Sequence, residues 1–283
     1  MAQSKSVVIT GVSTGIGHAA TKVLMGQGFH VFGSVRKTAD GERLKAEFGE
    51  AFTPLIFDVV DEAAVRAGAR QVEAALSGKT LAGLVNNAGI AVAGPLLYLP
   101  IEEFRQQLEV NLTGVLNATQ AFAPLLGAGG ERVAQPGRIV NISSVGGRNA
   151  NPFMGPYCTT KFGLEGFSES LRRELLPFGV DVVVVAPGAV ATPIWDKAEQ
   201  VDVARYANTP YAKALERMRG FMLSLGKSGL PPERIGETIA TALTAPAPKV
   251  RYVISPSPMQ VLMTEILPKR TIDKATGKRL GLI

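Results

Sequence analysis

A short β-branched run, Ser6-Val7-Val8-Ile9-Thr10, leads straight into Gly11-Val12-Ser13-Thr14-Gly15-Ile16-Gly17. A helical pattern with Ala19, Ala20, Val23 and Leu24 follows. Strand, glycine turn and helix in that order severely restrict the folds open to a chain. Glycines permit the tight reversal and a close backbone approach, and the helix then points its unpaired amides at an anion such as a diphosphate. The spacing is Gly-xxx-Gly-x-Gly, not the commoner Gly-x-Gly-xx-Gly. Taken alone, the turn also reads as an ordinary strand-to-helix connection.

The rest of the chain keeps the alternation. Strands are expected near 6–10, 29–35, 52–57, 82–86, 137–142, 180–186 and 250–254, and helices near 15–27, 61–77, 101–126, 157–177 and 232–244. Val182 to Val185 is a continuous apolar run, as a strand covered on both faces requires. The pattern predicts an α/β, doubly wound Rossmann fold: a parallel seven-stranded sheet with helices on both faces. At 283 residues, with no internal repeat and no long linker, one domain over 1–283 is expected. Residues 193–230 interrupt the alternation with Trp195, Tyr206, Tyr211, Met218, Phe221, Met222 and Leu225. Leu215, Met218, Met222 and Leu225 have near-helical spacing, which fits plain amphipathic core or a lid over an apolar pocket.

A second cluster suggests chemistry. Tyr157 and Lys161 stand at i and i+4, so phenol and ammonium share one helical face. A free tyrosine titrates near pH ~10, and a neighbouring cation is expected to bring it toward the working range. Ser144 lies thirteen residues upstream, where a β-rich run ends. Together the three would take a proton from an alcohol or give one to a carbonyl. Ser143 and Ser144 compete for that role, because adjacent residues at a strand end face opposite ways. The Ser-Val-Gly-Gly phrase favours Ser144. Cys158 turns about 100° away from Tyr157 and reads as a small buried side chain.

With Thr10-Gly11-xxx-Gly15-Ile16-Gly17, Asp58, Asn86-Asn87-Ala88-Gly89, Asn111, Ser144, Tyr157-xxx-Lys161, Pro187-Gly188 and Thr192 in place, residues 5–192 resemble the short-chain dehydrogenases/reductases. The run Pro156 to Phe167 is also similar to the hydroxysteroid and retinol dehydrogenase branch. The resemblance implies an oxidoreductase with Ser144, Tyr157, Lys161 and Asn111 catalytic. It implies that Asn111 holds a water connecting to Lys161, and that Asp58, with Val59 beside it, accepts from the adenine amino group. Without the resemblance, Asp58 reads as a cap for the next helix. Gly11, Gly15 and Gly17 would form the diphosphate turn, with Ser13 and Thr14 offering hydroxyls and Ile16 packed beneath. Asn86 is expected beside the adenosine ribose, its amide also holding loops together, and Asn87, Ala88 and Gly89, which follow it, are expected to contact the coenzyme. Pro187, Gly188, Val190 and Thr192 are expected around the nicotinamide carboxamide.

Coenzyme choice turns on the end of the second strand. Val35 stands where an acid would pair with the ribose 2′-hydroxyl of NAD, and Arg36-Lys37 follow. Two cations suit a 2′-phosphate, so NADP is expected, with NAD possible. The glycine turn itself carries no basic residue. The aromatic and Met residues of 193–230, with Phe153 and Met154, point to an apolar alcohol or carbonyl substrate: a steroid, retinoid or lipid-like molecule. A non-catalytic dinucleotide sensor on the same fold is the alternative; a sugar-nucleotide epimerase needs a larger C-terminal region.

The net charge of +6 and pI near 9.5 raise nucleic acid and membrane as partners, but the cations are dispersed until Lys269-Arg270, Lys274 and Lys278-Arg279. That tail reads as a solvated or interface surface, and no nucleic acid is expected. No apolar run reaches the ~18 residues of a membrane span. One cysteine and a strand close to the first residue suggest a cytoplasmic protein. No metal-ligand spacing is present. A homodimer or homotetramer through 101–126 and 157–177 is expected.

Overall fold

The computed structural model describes residues 5–130, 133–193 and 203–283. Seven parallel strands form one sheet: β1 (Ser6–Ile9), β2 (His30–Val35), β3 (Phe52–Ile56), β4 (Gly83–Asn86), β5 (Arg138–Ile142), β6 (Asp181–Pro187) and β7 (Arg251–Ile254). Their order is β3-β2-β1-β4-β5-β6-β7. The chain winds outward from β1 to β3, then returns to β4 on the other side of β1. Ligands of such sheets bind at the carboxyl ends beside that reversal.

Alternation along β1 splits the core. Val7 and Ile9 face α1 (Gly15–Gly26), α2 (Thr38–Phe48) and, later in the chain, α8 (Pro232–Thr244), through Leu24, Leu44, Ile235 and Ile239. Val8 faces α3 (Glu62–Leu76) and α5 (Gly114–Phe122), through Val65, Val72, Ala118 and Phe122. All three β1 side chains are fully buried. Each such burial contributes about 1.5–3 kcal/mol before the entropy of ordering is subtracted.

The expected strands all form. The helices differ in instructive places. α2 is absent from the sequence expectation, because Gly41 and Leu44 are its buried positions and charged residues hide the period. The segment 101–126 is not one helix. α4 (Ile101–Leu108) runs into a π-helical turn, Glu109–Thr113, then α5, then a 3-10 turn, Ala123–Leu126, entered through Pro124. Gly114 lets this helix approach Val59, since a Cβ there would lie 2.6 Å from Val59 Cγ2. α6 (Gly155–Glu174) begins just before Tyr157.

Residues after β6 build a third, smaller apolar cluster. α7 (Ala212–Lys227) supplies Ala214, Leu215 and Met218, which pack with Tyr206, Phe153, Met154 and Cys158. Trp195, expected in the lid, lies outside the described residues, and so does the side chain of Leu225. The basic tail is helical: α9 (Pro258–Ile266) and α10 (Lys269–Leu280), with Leu280 buried in the third cluster.

Candidate active site

A cleft of about 780 Å³ runs across the carboxyl ends of the strands. Its floor at one end is the glycine turn. Gly11 and Gly15 hold φ of +71° and +62°, where a side chain is strained. Gly17 has no room: a Cβ would lie 2.3 Å from the Gly11 carbonyl and 2.6 Å from Asn87 Nδ2. The turn is pinned from two sides. Gly11 N–H donates to Ser34 Oγ at 3.0 Å, and Val12 N–H to the Ser34 carbonyl at 3.0 Å. Asn87 Nδ2 donates to the Thr10 and Gly11 carbonyls, each at 2.9 Å. Thr14 caps α1 without a side-chain hydrogen bond, and the first turn carries no acid. The amides at this helix start therefore face the cleft beside Ser13, Thr14 and Ile16, with their positive end available to an anion.

Of two neighbouring asparagines, Asn87 lines the cleft as expected and Asn86 does not. Asn86, expected at the adenosine ribose, is buried and outside the cleft lining. Its Nδ2 donates to Asn141 Oδ1 at 2.8 Å and Thr119 Oγ1 at 3.3 Å, tying β4 to β5 and α5. Asn87 lines the cleft, with Ala88 and Gly89. The strand alternation assigns one inward and one outward, and the motif alone does not say which.

At the far end stand Val35, Arg36, Asp58 and Val59. Asp58 does not cap α3; Asp61 does, accepting from Ala64 N–H at 3.0 Å. Asp58 accepts from Val60 N–H at 3.3 Å and lies 3.9 Å from Arg36. Arg36 is 71% exposed at the cleft rim. Lys37 precedes α2 and stands outside the lining. The sequence reading missed Arg43. From α2 its Nη2 donates to the Ser13 carbonyl at 2.8 Å, bringing a guanidinium to a turn with no basic residue of its own. Asp40 and Glu47, each 3.6 Å away, flank it. Seeing α2 in the sequence would have found it, because Arg43 is next to the inward Leu44.

The reactive end lies where β5 meets α6. Ser144 accepts from Gly146 N–H at 3.0 Å and donates to the Pro187 carbonyl at 3.4 Å, and its hydroxyl acts to lower the Tyr157 pKa. Ser143 also lines the cleft, its buried hydroxyl without a partner among the described residues. Lys161 donates to the Ile142 carbonyl at 2.7 Å, and its nitrogen lies 5.6 Å from the Tyr157 ring centroid. Burial pushes the Tyr157 pKa up to about 12, with the Ser144 hydrogen bond opposing it. Burial pulls Lys161 down to about 8, with Glu165 opposing. The expected lowering of Tyr157 by Lys161 is therefore not the dominant effect. The ammonium is held to a carbonyl, and burial sets the direction of both shifts.

Asn111 sits on the π turn, buried and outside the lining. Its Oδ1 accepts from Ile90 N–H at 2.9 Å; its Nδ2 donates to the Ile90 carbonyl and to Thr160 Oγ1, both at 3.1 Å. Thr160 in turn donates to the Tyr157 carbonyl at 2.7 Å. The side chain thus fastens the loop after β4 to the first turn of α6. Pro187, Gly188, Val190 and Thr192 close the remaining wall, with Thr192 against Gly15. Phe153 flanks the Tyr157 end with φ of +65°, a conformation costing about 1–3 kcal/mol. Its carbonyl accepts from Gly94 N–H at 2.8 Å, and its ring meets Tyr211 edge-on at 5.7 Å.

A doubly wound sheet with a glycine turn at one end of its cleft and a Ser-Tyr-Lys group at the other defines an oxidoreductase acting on CH–OH and carbonyl groups. The chain belongs to the short chain dehydrogenase family, whose model matches residues 5–202. It is 38% identical over 274 residues to an NADPH-dependent 3-dehydrocapnine reductase of Ornithobacterium rhinotracheale, covering 96% of each. It is 35% identical over 271 residues to the mitochondrial D-beta-hydroxybutyrate dehydrogenase of Bos taurus, covering 88% of this chain and 76% of that one. A short-chain dehydrogenase structure from Streptomyces avermitilis superposes with a TM-score of 0.77 at 25% identity, covering 98% of this chain and 95% of that one. Among the described residues, no cluster of three potential metal ligands occurs and no helix is long and apolar enough to cross a membrane.

Proposed function

We propose that the protein reduces an apolar ketone to a secondary alcohol with NADPH, or runs the reverse reaction, in the cleft between the glycine turn and α6. The observation that carries this reading is Tyr157, Ser144 and Lys161 converging in the same cleft as the open start of α1. The cradle of Gly11, Gly15 and Gly17, the α1 amides and the cation at Arg36 fit a dinucleotide bearing a 2′-phosphate. The NADPH-dependent relative supports that coenzyme, and Val35 offers no acid to favour NAD.

When bound, the nicotinamide supplies or accepts the hydride. Tyr157, kept neutral by burial, donates its phenolic proton to the carbonyl oxygen. Ser144 donates a hydrogen bond to the same oxygen as negative charge develops there. Lys161, anchored on the Ile142 carbonyl, holds positive charge beneath the phenol and refills the proton path. Asn111 positions Tyr157 through Thr160. Phe153, Met154 and residues of 203–225 give the substrate an apolar wall, with 193–230 acting as a lid on a single domain. A homo-oligomer in the cytoplasm completes the reading.

Intact Ser144, Tyr157 and Lys161 weigh against a coenzyme sensor without turnover. The test is nicotinamide absorbance with NADPH and NADH against steroid, retinoid and long-chain ketones. Consumption of NADPH with at least one apolar ketone is expected. Tight coenzyme binding with no turnover across the panel would return the protein to the sensor reading.

A further inference from the structure

Helix α9 presents its apolar side to solvent. Met259, Leu262, Met263 and Ile266 are 69%, 50%, 40% and 65% exposed. Their spacing, i, i+3, i+4 and i+7, makes one stripe roughly 100° wide. The opposite side turns toward the protein: Val261 and Thr264 are half-buried, and Glu265 reaches back to within 3.9 Å of Arg251 on β7. The helix's carboxylate is thus drawn away from the stripe. Exposed aliphatic side chains scattered singly are ordinary, but four in register on one helix face mark a contact surface.

The next helix supplies charge. After Leu267-Pro268, α10 carries Lys269, Arg270, Lys274, Lys278 and Arg279 against one acid, Asp273. Arg279 is stacked on Phe221 at 4.4 Å. Lys269, Arg270, Lys274 and Lys278 are exposed. Lys269 and Arg270 follow Ile266 by three and four residues, so they lie within about 10–14 Å of the stripe's end. The surface also has a defined place. Ser255, just beyond β7, abuts Gly188 at the cleft, so α9 starts at the sheet end that carries the reactive groups.

We infer that α9 and α10 dock the protein onto an anionic lipid bilayer, the stripe entering the acyl boundary and the cations meeting the headgroups. Adjacent apolar and basic surfaces are what such an interface rewards. A second copy of the chain fits less well. A two-fold contact would bring the same cations face to face. Nine helical residues also offer a stripe about 13 Å long and roughly 10 Å wide, on the order of 130 Å², well short of the roughly 800 Å² per partner of a stable protein interface.

The test is flotation of the full-length protein with vesicles of phosphatidylcholine alone or mixed with phosphatidylserine, alongside light scattering without lipid. Binding to the mixed vesicles, weakened by salt, is expected. Lys269→Gln with Arg270→Gln should lower that affinity about fivefold per cation. Leu262→Gln with Ile266→Gln should abolish flotation while coenzyme binding and oligomeric mass stay as in the wild type. Three results would overturn the inference: no flotation of the wild type at low salt, equal flotation of the apolar double variant, or a fall in oligomeric mass in that variant, which would assign the stripe to a second copy.

Discussion

The two regions that meet at Tyr157 are made of opposite materials. The glycine-turn wall is a lattice of hydrogen bonds in which Ser34 and Asn87 fix four backbone groups between Thr10 and Val12. The region around α7 and Phe153 lies outside the cleft lining and is held by packing of Tyr206, Leu215, Met218 and Met154. Hydrogen bonds set position and direction, as amides aimed at a charged diphosphate require. Packing sets volume, and volume separates apolar substrates by only about 1–3 kcal/mol per methylene. One region thus fixes direction, and the other fills volume.

Tyr157 lines the cleft and packs against the α7 cluster, and its loss has the largest expected effect. Tyr157→Phe should lower kcat by about 10²–10⁴ while calorimetry finds coenzyme affinity unchanged. Near-normal turnover would remove the phenol from proton transfer. Ser144→Ala should cost more turnover than Ser143→Ala, since of the two only Ser144 acts on the phenol's pKa; the reverse ranking would transfer the role to Ser143.

The two regions are separated by a pair of truncations. Leu215→Ala removes a side chain only 4% exposed and should cost about 2–5 kcal/mol of stability in a denaturant titration, with coenzyme affinity retained. Asn87→Ala leaves the Thr10 and Gly11 carbonyls short of a donor and should cost about 1–3 kcal/mol, with coenzyme affinity falling alongside. Equal losses of coenzyme affinity in both variants would break the contrast.

The pH dependence sharpens it further. Lys161 titrates near pH 8 in the free protein, so its ammonium is present below that value and lost above it. Tyr157 stays protonated until about pH 12. The kcat/KM for ketone reduction should therefore be flat below about pH 8 and fall toward tenfold per pH unit above it. Lys161→Arg should carry that descending limb upward, whereas a limb unmoved by the substitution would belong to another group.

Legibility in the sequence follows the same division. All seven strands could be read, because buried parallel strands are continuous apolar runs such as Val182–Val185. The glycine turn and Tyr157/Lys161 could be read, because their spacing is itself the geometry. What escaped depends on through-space partners. Asn86 and Asn87 differ only in which way the end of β4 faces them. Arg43 belongs to α2, a helix whose short buried face gives almost no period. The raised Tyr157 pKa reflects desolvation by the whole fold rather than the neighbour four residues on. The 193–230 segment announced apolar side chains, not which of them, Leu215 and Met218 for instance, are core.

The smallest expected effect is at the rim, where the polar wall meets solvent. NADP differs from NAD by the 2′-phosphate alone, and Arg36 is the cation that lines this part of the cleft. A charge-assisted bidentate contact contributes about 1.5–3 kcal/mol, or roughly 10- to 150-fold in affinity. Arg36 is 71% exposed, and solvent and salt screen it toward the low end of that range. Asp58, 3.9 Å away, opposes the phosphate further by competing for the guanidinium. Arg36→Ala should accordingly weaken NADP binding by several-fold to about tenfold and leave NAD nearly unchanged. Arg43 gives the rim a second way to hold the charge. If Arg36→Ala keeps a preference for NADP and Arg43→Ala in the same background removes it, the guanidinium at Ser13 shares the phosphate. Val35→Asp should reverse the preference outright, by repelling the phosphate and offering the 2′-hydroxyl a partner. Calorimetry of both coenzymes against this series decides the matter. A wild type that binds NAD more tightly than NADP would show that the polar wall, for all its hydrogen bonds, reads the diphosphate and not the ribose.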